Sequence, residues 1–409
     1  MSLALTQSKA LLIDAYRELN SKKLFWITLV LSGLVVIAFA GVGINEKGVT
    51  LLVWNLDVPG VNSTNFPPAR LYLTLFAKFG IGFWLTWLSM ILALVSTAGM
   101  IPDLISGGAV ELTLSKPLSR LRLFLTKYLF GLLFTGLQVT LFSLACFLLV
   151  GIRGHAWVPR LFLAVPFVVS IFSFLFCICV LLGLVTRSTV ASLLLTLLLW
   201  CVIFLVNSSE AVITQFRLIN DVQREKITQR IPAMERSATN RYETDVRDAR
   251  TKAIEAATAK GEAVDALTPV DAPVPPPGRE ELEAVSARIH SSMTNLARSR
   301  ERLAALEKAA PRWALAERLT LLAKTPLPKT QETATLMERY LLPADEVDLP
   351  NGEQQTDVSG VTRAEQAEAV RRLQAKYRTR NVWWILGTSF AFEGVVLAIG
   401  AWIFCRRDF

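Results

Sequence analysis

The sequence predicts an all-α polytopic membrane protein with six transmembrane helices and a large helical extracytoplasmic insertion between helices 5 and 6. Hydrophobic residues make up 52% of the 409 positions and the mean hydropathy is positive, which is too apolar for a typical soluble domain. Six apolar runs are each long enough to cross about 30 Å of hydrocarbon. The charged residues concentrate between the last two runs, so the chain combines a membrane part with a water-exposed part.

The charge distribution indicates a membrane topology and gives no support for nucleic-acid binding. The block Asn207 to Arg380 holds 27 of the 43 Lys and Arg residues and 26 of the 34 Asp and Glu residues, so it is nearly neutral. The positive excess therefore lies in the short segments that flank the apolar runs, as the positive-inside rule requires. No nucleic-acid partner is expected.

The N-terminal segment 1–23 has apolar residues at helical spacing and lacks the long central apolar run of a signal peptide. It predicts a cytoplasmic amphipathic helix at the membrane interface, and a flexible cytoplasmic tail is the alternative. The lysine pair Lys22 and Lys23 directly precedes the first apolar run, which places the N-terminus inside.

The membrane part comprises transmembrane helices 1–5 over residues 24–206, and helix 6 with a cytoplasmic tail over residues 381–409. An extracytoplasmic loop without a secondary-structure period is expected between the first two crossings, from Asn45 to Arg70. The crossings are predicted at Leu24–Ile44, Leu71–Ile101, Leu121–Val150, Leu161–Val185, Thr189–Val206 and Val382–Phe404. Both termini are then cytoplasmic, and the chain is expected in the plasma (inner) membrane.

The insertion, residues 207–380, predicts an extracytoplasmic helical hairpin. An amphipathic helix is expected from Ala211 to Pro232, followed by a seam of mostly small residues from Tyr242 to Ala256. Its predicted coiled-coil partner runs from Arg279 to Lys308, where leucine and isoleucine recur every seven residues. A proline-rich stretch between them reads as a stiff turn. The alternative for the same segment is a charged disordered insertion.

The connection between the second and third apolar runs carries the most specific motif. From Ser106 to Arg120 it reads Ser-Gly-Gly-x-x-Glu-Leu-x-Leu-Ser-Lys-Pro-Leu-Ser-Arg. It is short, cationic and flanked by membrane helices, which favours the cytoplasmic face. Its glycines permit a tight turn, and Pro117 ends a short helix predicted over Ala109–Leu114.

This motif resembles the signature of type 2 ABC exporter permeases, and is most similar to the NosY-like branch of the copper-enzyme (nitrous oxide reductase) maturation system. The resemblance implies that residues 101–120 form a cytoplasmic coupling segment that docks on a separate ABC ATPase subunit carrying ATP-Mg. It also implies that segment 1–23 is the elbow helix that precedes the first crossing, and that a second permease copy is the dimer partner. The coupling residues implied by position are Asp103, Glu111, Ser115, Lys116, Pro117 and Arg120.

Glu393 lies near the middle of the sixth predicted crossing, where a charge is costly unless it faces protein or water. One interpretation gives it a role in an intramembrane pathway or at a dimer seam. The other is a protonated or hydrogen-bonded structural residue.

The sequence offers little for catalysis or metal binding. Five cysteines lie in or beside apolar runs, and the two histidines are far apart, so no metal site is expected. No glycine is followed by lysine, so the chain has no P-loop, and we expect a non-enzymatic subunit that binds no cofactor itself. The function predicted is coupling of ATP hydrolysis on another chain to export or to mechanical signalling. The alternative is a membrane-anchored scaffold or sensor whose extracytoplasmic hairpin binds a partner.

Overall fold

The computed structural model of the chain describes residues 23–45, 48–51, 54–56, 67–106, 119–260, 268–274, 287–341 and 362–406. Almost all of these residues are helical. Within these ranges, five helices are long and apolar enough to cross a membrane. The prediction of a helical membrane protein is confirmed at this level. The predicted elbow helix (1–23), apart from Lys23, lies outside the described residues.

The helices are numbered here in chain order. The first, α1, is apolar but shorter than the five membrane-length helices, and α2 contains a π-helical stretch at Phe76–Leu88. The bounds are α1 Lys23–Gly41, α2 Pro68–Ile105, α3 Arg120–Arg153, α4 Ala164–Thr186, α5 Thr189–Lys260, α6 Ala287–Lys324, α7 Thr330–Leu341, α8 Arg363–Thr379 and α9 Val382–Arg406. A 3₁₀ turn, Pro159–Leu163, leads into α4.

The chain divides into two compact units that interleave along the sequence. The first, here called the membrane unit, comprises Met1–Glu210, Thr320–Asp348 and Lys376–Phe409. The second, the insertion unit, comprises Ala211–Leu319 and Leu349–Ala375. Three stretches of the predicted 207–380 domain, 207–210, 320–348 and 376–380, thus belong to the membrane unit.

A small antiparallel sheet follows α1, where the sequence analysis expected only loop after Ile44. Its strands are β1 Val42–Asn45, β2 Gly48–Leu51 and β3 Trp54–Leu56. Val42 pairs with Leu51, and Leu51 pairs with Trp54. The three strands are too short for a clear period in sequence, but β-branched and aromatic residues at these positions favour extended pairing. The fold is therefore not purely helical.

Most of the long apolar helices begin and end close to the predicted positions because the local signals are strong, but α5, whose crossing was predicted to end at Val206, continues to Lys260. Proline at the first turn starts α2, where its missing N–H is harmless. The Ser119 hydroxyl caps α3 by accepting a hydrogen bond from the Arg122 backbone N–H. A left-handed residue, Arg187 with φ of 54°, ends α4, at the point where the sequence predicted a tight turn.

Close helix packing joins α3, α4 and α9 in the membrane unit. A Cβ added at Gly131 of α3 would lie 2.5 Å from the buried ring of Phe176 in α4. The same ring stacks on Tyr128, with centroids 5.3 Å apart. On the α9 side, Phe124 lies against Phe404 at 5.7 Å. Small residues at membrane helix interfaces permit such close approach.

The insertion unit contains two antiparallel helical stretches, from α5 and α6. Phe216 stacks on Trp313 with centroids 5.7 Å apart, and farther along α5 Glu235 forms an ion pair with Arg300 at 2.5 Å. The residue numbers of the contacting pairs increase along α5 and decrease along α6, so the two stretches are antiparallel. These contacts agree with the antiparallel arrangement predicted for the two helices.

The prediction that Pro232 ends the first helix of the insertion is wrong. The helix α5 continues through Pro232 to Lys260, and α6 likewise contains Pro311. Proline in a helix interior costs about 3 kcal/mol, but contacts between the two helices lie on both sides of each proline. These contacts hold the helices together across the lost backbone hydrogen bonds.

Part of the predicted seam from Tyr242 to Ala256 can be placed. Tyr242 packs with Val246 and Val274, and Ala249, Ala253 and Ala256 are exposed. The start of the predicted partner, Arg279 to Ser286, lies outside the described residues, so the pairing of the seam stays a prediction.

We predict that Gly131→Ala lowers the free energy of unfolding by about 1–3 kcal/mol, because its methyl group would overlap Phe176 in a packed interior. The matched control is Gly136→Ala, also on α3, where the nearest atom, Val169 Cγ2, would lie at 3.5 Å. That variant should be neutral or slightly stabilised. Thermal unfolding of both variants in one detergent compares them, and equal midpoints would contradict the packing described for Phe176.

Candidate functional site

The coupling segment is described only at its two ends. Glu111, Ser115, Lys116 and Pro117, together with the short helix predicted over Ala109–Leu114, lie outside the described residues. Asp103 is exposed in the last turns of α2. Arg120 is the first residue of α3.

Both flanks of the coupling segment contact other helices of the membrane unit. The Arg120 guanidinium donates a hydrogen bond from Nη1 to the backbone carbonyl of Cys405, at 3.3 Å, which joins the start of α3 to the end of α9. At the end of α2, a Cβ on Gly183 of α4 would approach Pro102 Cγ to 3.0 Å. The segment therefore connects two helices that are each packed against a further helix.

Glu393 is buried within α9, with 8% of its surface exposed. Its Oε1 accepts a hydrogen bond from the Tyr128 hydroxyl of α3 at 2.7 Å. Its Oε2 accepts one from the Ser173 hydroxyl of α4 at 2.8 Å. The carboxyl group is thus held by the three helices that pack most closely, and it faces protein rather than the outer surface of the unit.

No lysine, arginine or histidine of the described residues pairs with Glu393. Placing a charged side chain at the centre of a membrane helix costs about 2.5–3.5 kcal/mol on insertion scales. Hydrogen bonds to a charged group contribute about 1.5–3 kcal/mol each, so the two hydroxyls offset a cost of this order.

A second polar site, the buried charge cluster, consists of Glu210, Lys324, Glu332, Tyr377 and Arg380. The Glu210 carboxylate accepts hydrogen bonds from Lys324 Nζ at 2.9 Å, Tyr377 Oη at 3.1 Å and Arg380 Nη2 at 2.6 Å. Glu332 accepts from Lys324 Nζ at 2.6 Å and also from Arg380. All five groups belong to the membrane unit.

Burial makes this cluster energetically important. Glu210 is fully buried, and Lys324 and Glu332 are 2% and 6% exposed. Burial, followed by the Glu210 carboxylate, raises the pKa of Tyr377, so its phenol remains a hydrogen-bond donor. Ion pairs taken out of water contribute only when each charge keeps its partners, and here two carboxylates share two cations.

Lys329 extends the polar region toward α9. Its fully buried ammonium donates to the Thr388 hydroxyl at 2.6 Å and to the Thr325 carbonyl at 3.1 Å. The same group lies 4.4 Å from the ring centre of Trp384, a cation–π distance. Burial lowers the pKa of Lys329 to about 8.

Comparison of the chain with family models, with curated proteins and with solved structures found no match. Within the described residues, no group of three or more His, Cys, Asp or Glu side chains could hold a metal ion.

Sequence reasoning identified Glu393 but not its partners, and it missed the buried charge cluster entirely. One usable signal existed: the acidic residue Glu210 follows the apolar run that ends at Val206, and the basic residue Arg380 precedes the run that begins at Val382. Their separation along the chain conceals the pairing. Gln138 of α3 was also missed, and both polar atoms of its buried side chain lack a hydrogen-bond partner among the described residues.

We predict that Glu210→Gln lowers the free energy of unfolding by about 3–5 kcal/mol, because it leaves Lys324 and Arg380 buried with one carboxylate between them. The control is Glu235→Gln, which breaks the partly exposed pair with Arg300 and should cost about 0–1 kcal/mol. Denaturation of both variants is measured in the same detergent. Similar small losses would mean that the cluster does not stabilise the fold.

The stability of the chain should rise with pH through the titration of Lys329. Its folded pKa of about 8 lies below the ordinary value of 10.5, so between these values the unfolded chain binds the proton and the folded chain does not. The free energy of unfolding then rises by up to about 1.4 kcal/mol per pH unit. Below that range both states are protonated, and the folded state carries the full cost of the buried charge.

Lys329→Met tests this pH dependence, because other groups titrate equally in the two proteins. Unfolding midpoints are measured for both chains at several pH values between 8 and 10.5. The wild-type midpoint should climb relative to the variant across this range. Parallel curves would exclude a buried, weakly basic Lys329.

Proposed function

We propose that this chain is the membrane permease subunit of a type 2 ABC exporter, related to the NosY-like branch. It couples ATP hydrolysis by a separate ATPase subunit to export or to mechanical signalling across the membrane. The observation that carries the proposal is the Ser106–Arg120 motif between two membrane-length helices. The motif's resemblance to the family's coupling segment supplies the assignment.

The helix arrangement supports this proposal. Helix α2 ends at Ile105 and α3 begins at Arg120, so the motif forms the connection between them. Arg120 bonds to the last helix at Cys405. A force applied to the coupling segment would reach α2 and α3 directly and α9 through this contact. Two-state movement of packed helices is the usual way in which such a force is transmitted.

The proposed topology has six crossings, with α1 as the first of them and the coupling segment in the cytoplasm. In the sequence, Lys22 and Lys23 precede the first apolar run, and Arg406 and Arg407 follow the last; these charges support cytoplasmic termini in the plasma membrane under the positive-inside rule. The 207–380 region is then extracytoplasmic, available to a partner there. A second permease copy and a cytoplasmic ABC ATPase with ATP-Mg complete the proposed assembly.

An affinity purification of the tagged chain in mild detergent tests the assembly. Co-purifying subunits are identified by mass spectrometry, and ATP hydrolysis is measured in the eluate. A stoichiometric subunit with a P-loop supports the permease function. If no ATPase appears and a protein that binds the insertion unit does, the scaffold or sensor function is favoured instead.

We predict that Arg120→Glu abolishes stimulation of the partner ATPase while the chain still inserts in the membrane, because the reversed charge would repel its docking surface. Glu111→Lys should act in the same way. The control is Arg153→Glu, a reversal at the exposed opposite end of α3, which should leave stimulation unchanged. Normal stimulation of the ATPase by both coupling variants would show that these residues do not contribute to the docking surface.

A further inference from the structure

The two hydroxyls that bind Glu393 each have a second acceptor within reach. The Tyr128 hydroxyl lies 2.7 Å from Glu393 Oε1 and 3.1 Å from the Ser173 carbonyl oxygen. The Ser173 hydroxyl lies 2.8 Å from Glu393 Oε2 and 2.9 Å from the Ser170 carbonyl oxygen. Each hydroxyl has one hydrogen to donate, so each can serve only one of its two acceptors fully.

Counting hydrogens shows that the site can hold Glu393 in either of two protonation states. If Glu393 is ionised, both hydroxyls donate to the carboxylate. If Glu393 carries a proton, its O–H donates to one hydroxyl, and that hydroxyl turns to its backbone carbonyl. The ionised state has two of these hydrogen bonds and the protonated state has three, so every donor has an acceptor in both states and only hydroxyl rotation is required.

The backbone acceptors make this exchange inexpensive. The Ser170 and Ser173 carbonyls lie inside α4, where the regular helical pattern already gives each a backbone N–H partner. The hydroxyls use the second lone pair of each carbonyl. When a hydroxyl turns back to the carboxylate, no buried backbone group is left unsatisfied.

We propose that Glu393 is a reversible proton-binding site within the membrane unit. One proton is taken from water to form the acid, and the same proton returns to water when the carboxylate forms. The net charge of this region of α9 changes by one in each direction.

The groups that bind Glu393 in the described part of the chain are uncharged. The titratable groups that face Glu393 in the described part of the chain are Tyr128 of α3 and Cys177 of α4, both neutral donors, and the Cys177 thiol donates to the Phe174 carbonyl at 3.2 Å. The contrast is Glu210, whose carboxylate contacts Lys324 and Arg380 and is therefore kept ionised. The two buried glutamates thus have opposite electrostatic environments.

Infrared difference spectroscopy of the full chain in lipid nanodiscs tests the proposal. The spectrum of wild type minus Glu393→Gln should contain the C=O stretch of one protonated carboxylic acid, sensitive to exchange into D₂O. This band should give way to a carboxylate band as the pH is raised. A difference spectrum with carboxylate bands alone at every pH would overturn the proposal, and so would an acid band that no pH removes.

Two further variants keep the test decisive if Glu393→Gln fails to fold. Tyr128→Phe and Ser173→Ala each remove one hydroxyl partner, so each should shift the frequency of the acid band in its difference spectrum with wild type. Absence of a shift in both variants would contradict the hydrogen-bonding scheme. Glu210→Gln is the control, and its spectrum should show loss of a carboxylate and no acid band.

The proton-binding inference does not rest on the proposed permease function. The infrared measurement needs neither ATP nor a partner subunit, so its result is independent of the affinity purification. If the infrared measurement shows proton binding at Glu393 and no ATPase co-purifies, the proton-binding proposal stands and the permease proposal does not.

Discussion

The membrane unit depends on the ionic contacts of Glu210. The unit is assembled from three separate stretches of chain, and the buried charge cluster contains residues from all of them. Glu210 ends the first stretch, Lys324 lies in the second, and Arg380 lies in the third. A carboxylate with three donors fixes where the chain leaves the unit and where it returns, which the apolar helices alone cannot do because their contacts are not directional.

This arrangement explains why charges are tolerated inside an apolar unit. Removing one partner of a buried pair leaves an uncompensated charge, whereas the complete set is close to neutral in its effect on stability. The two polar sites of the unit differ in the partners that balance their carboxyl groups. The buried charge cluster balances carboxylates with cations, and Glu393 is balanced only by hydroxyl groups that can reorient.

The helices were predictable from the sequence, but most of the polar contacts were not. Length and apolarity identify the long apolar helices, and proline and serine at helix starts mark boundaries such as Ser119. The contacts of Glu393 with Tyr128 and Ser173 join helices far apart in sequence, and no local pattern encodes such pairs. The error at Pro232 has a related cause, since contacts from a distant helix outweighed a local breaking signal. Trp54 and its neighbours were missed because strands this short carry too little periodic information.

The interleaving of the two units limits how such a chain can acquire or exchange its insertion. Excising residues 207–380 as a single block would remove every member of the buried charge cluster, along with the buried Lys329. An exchange confined to Ala211–Leu319 and Leu349–Ala375 would keep all of them. Recombination between related chains would therefore tolerate separate replacement of these two segments better than replacement of the whole region. The insertion is modular in structure without being continuous in sequence.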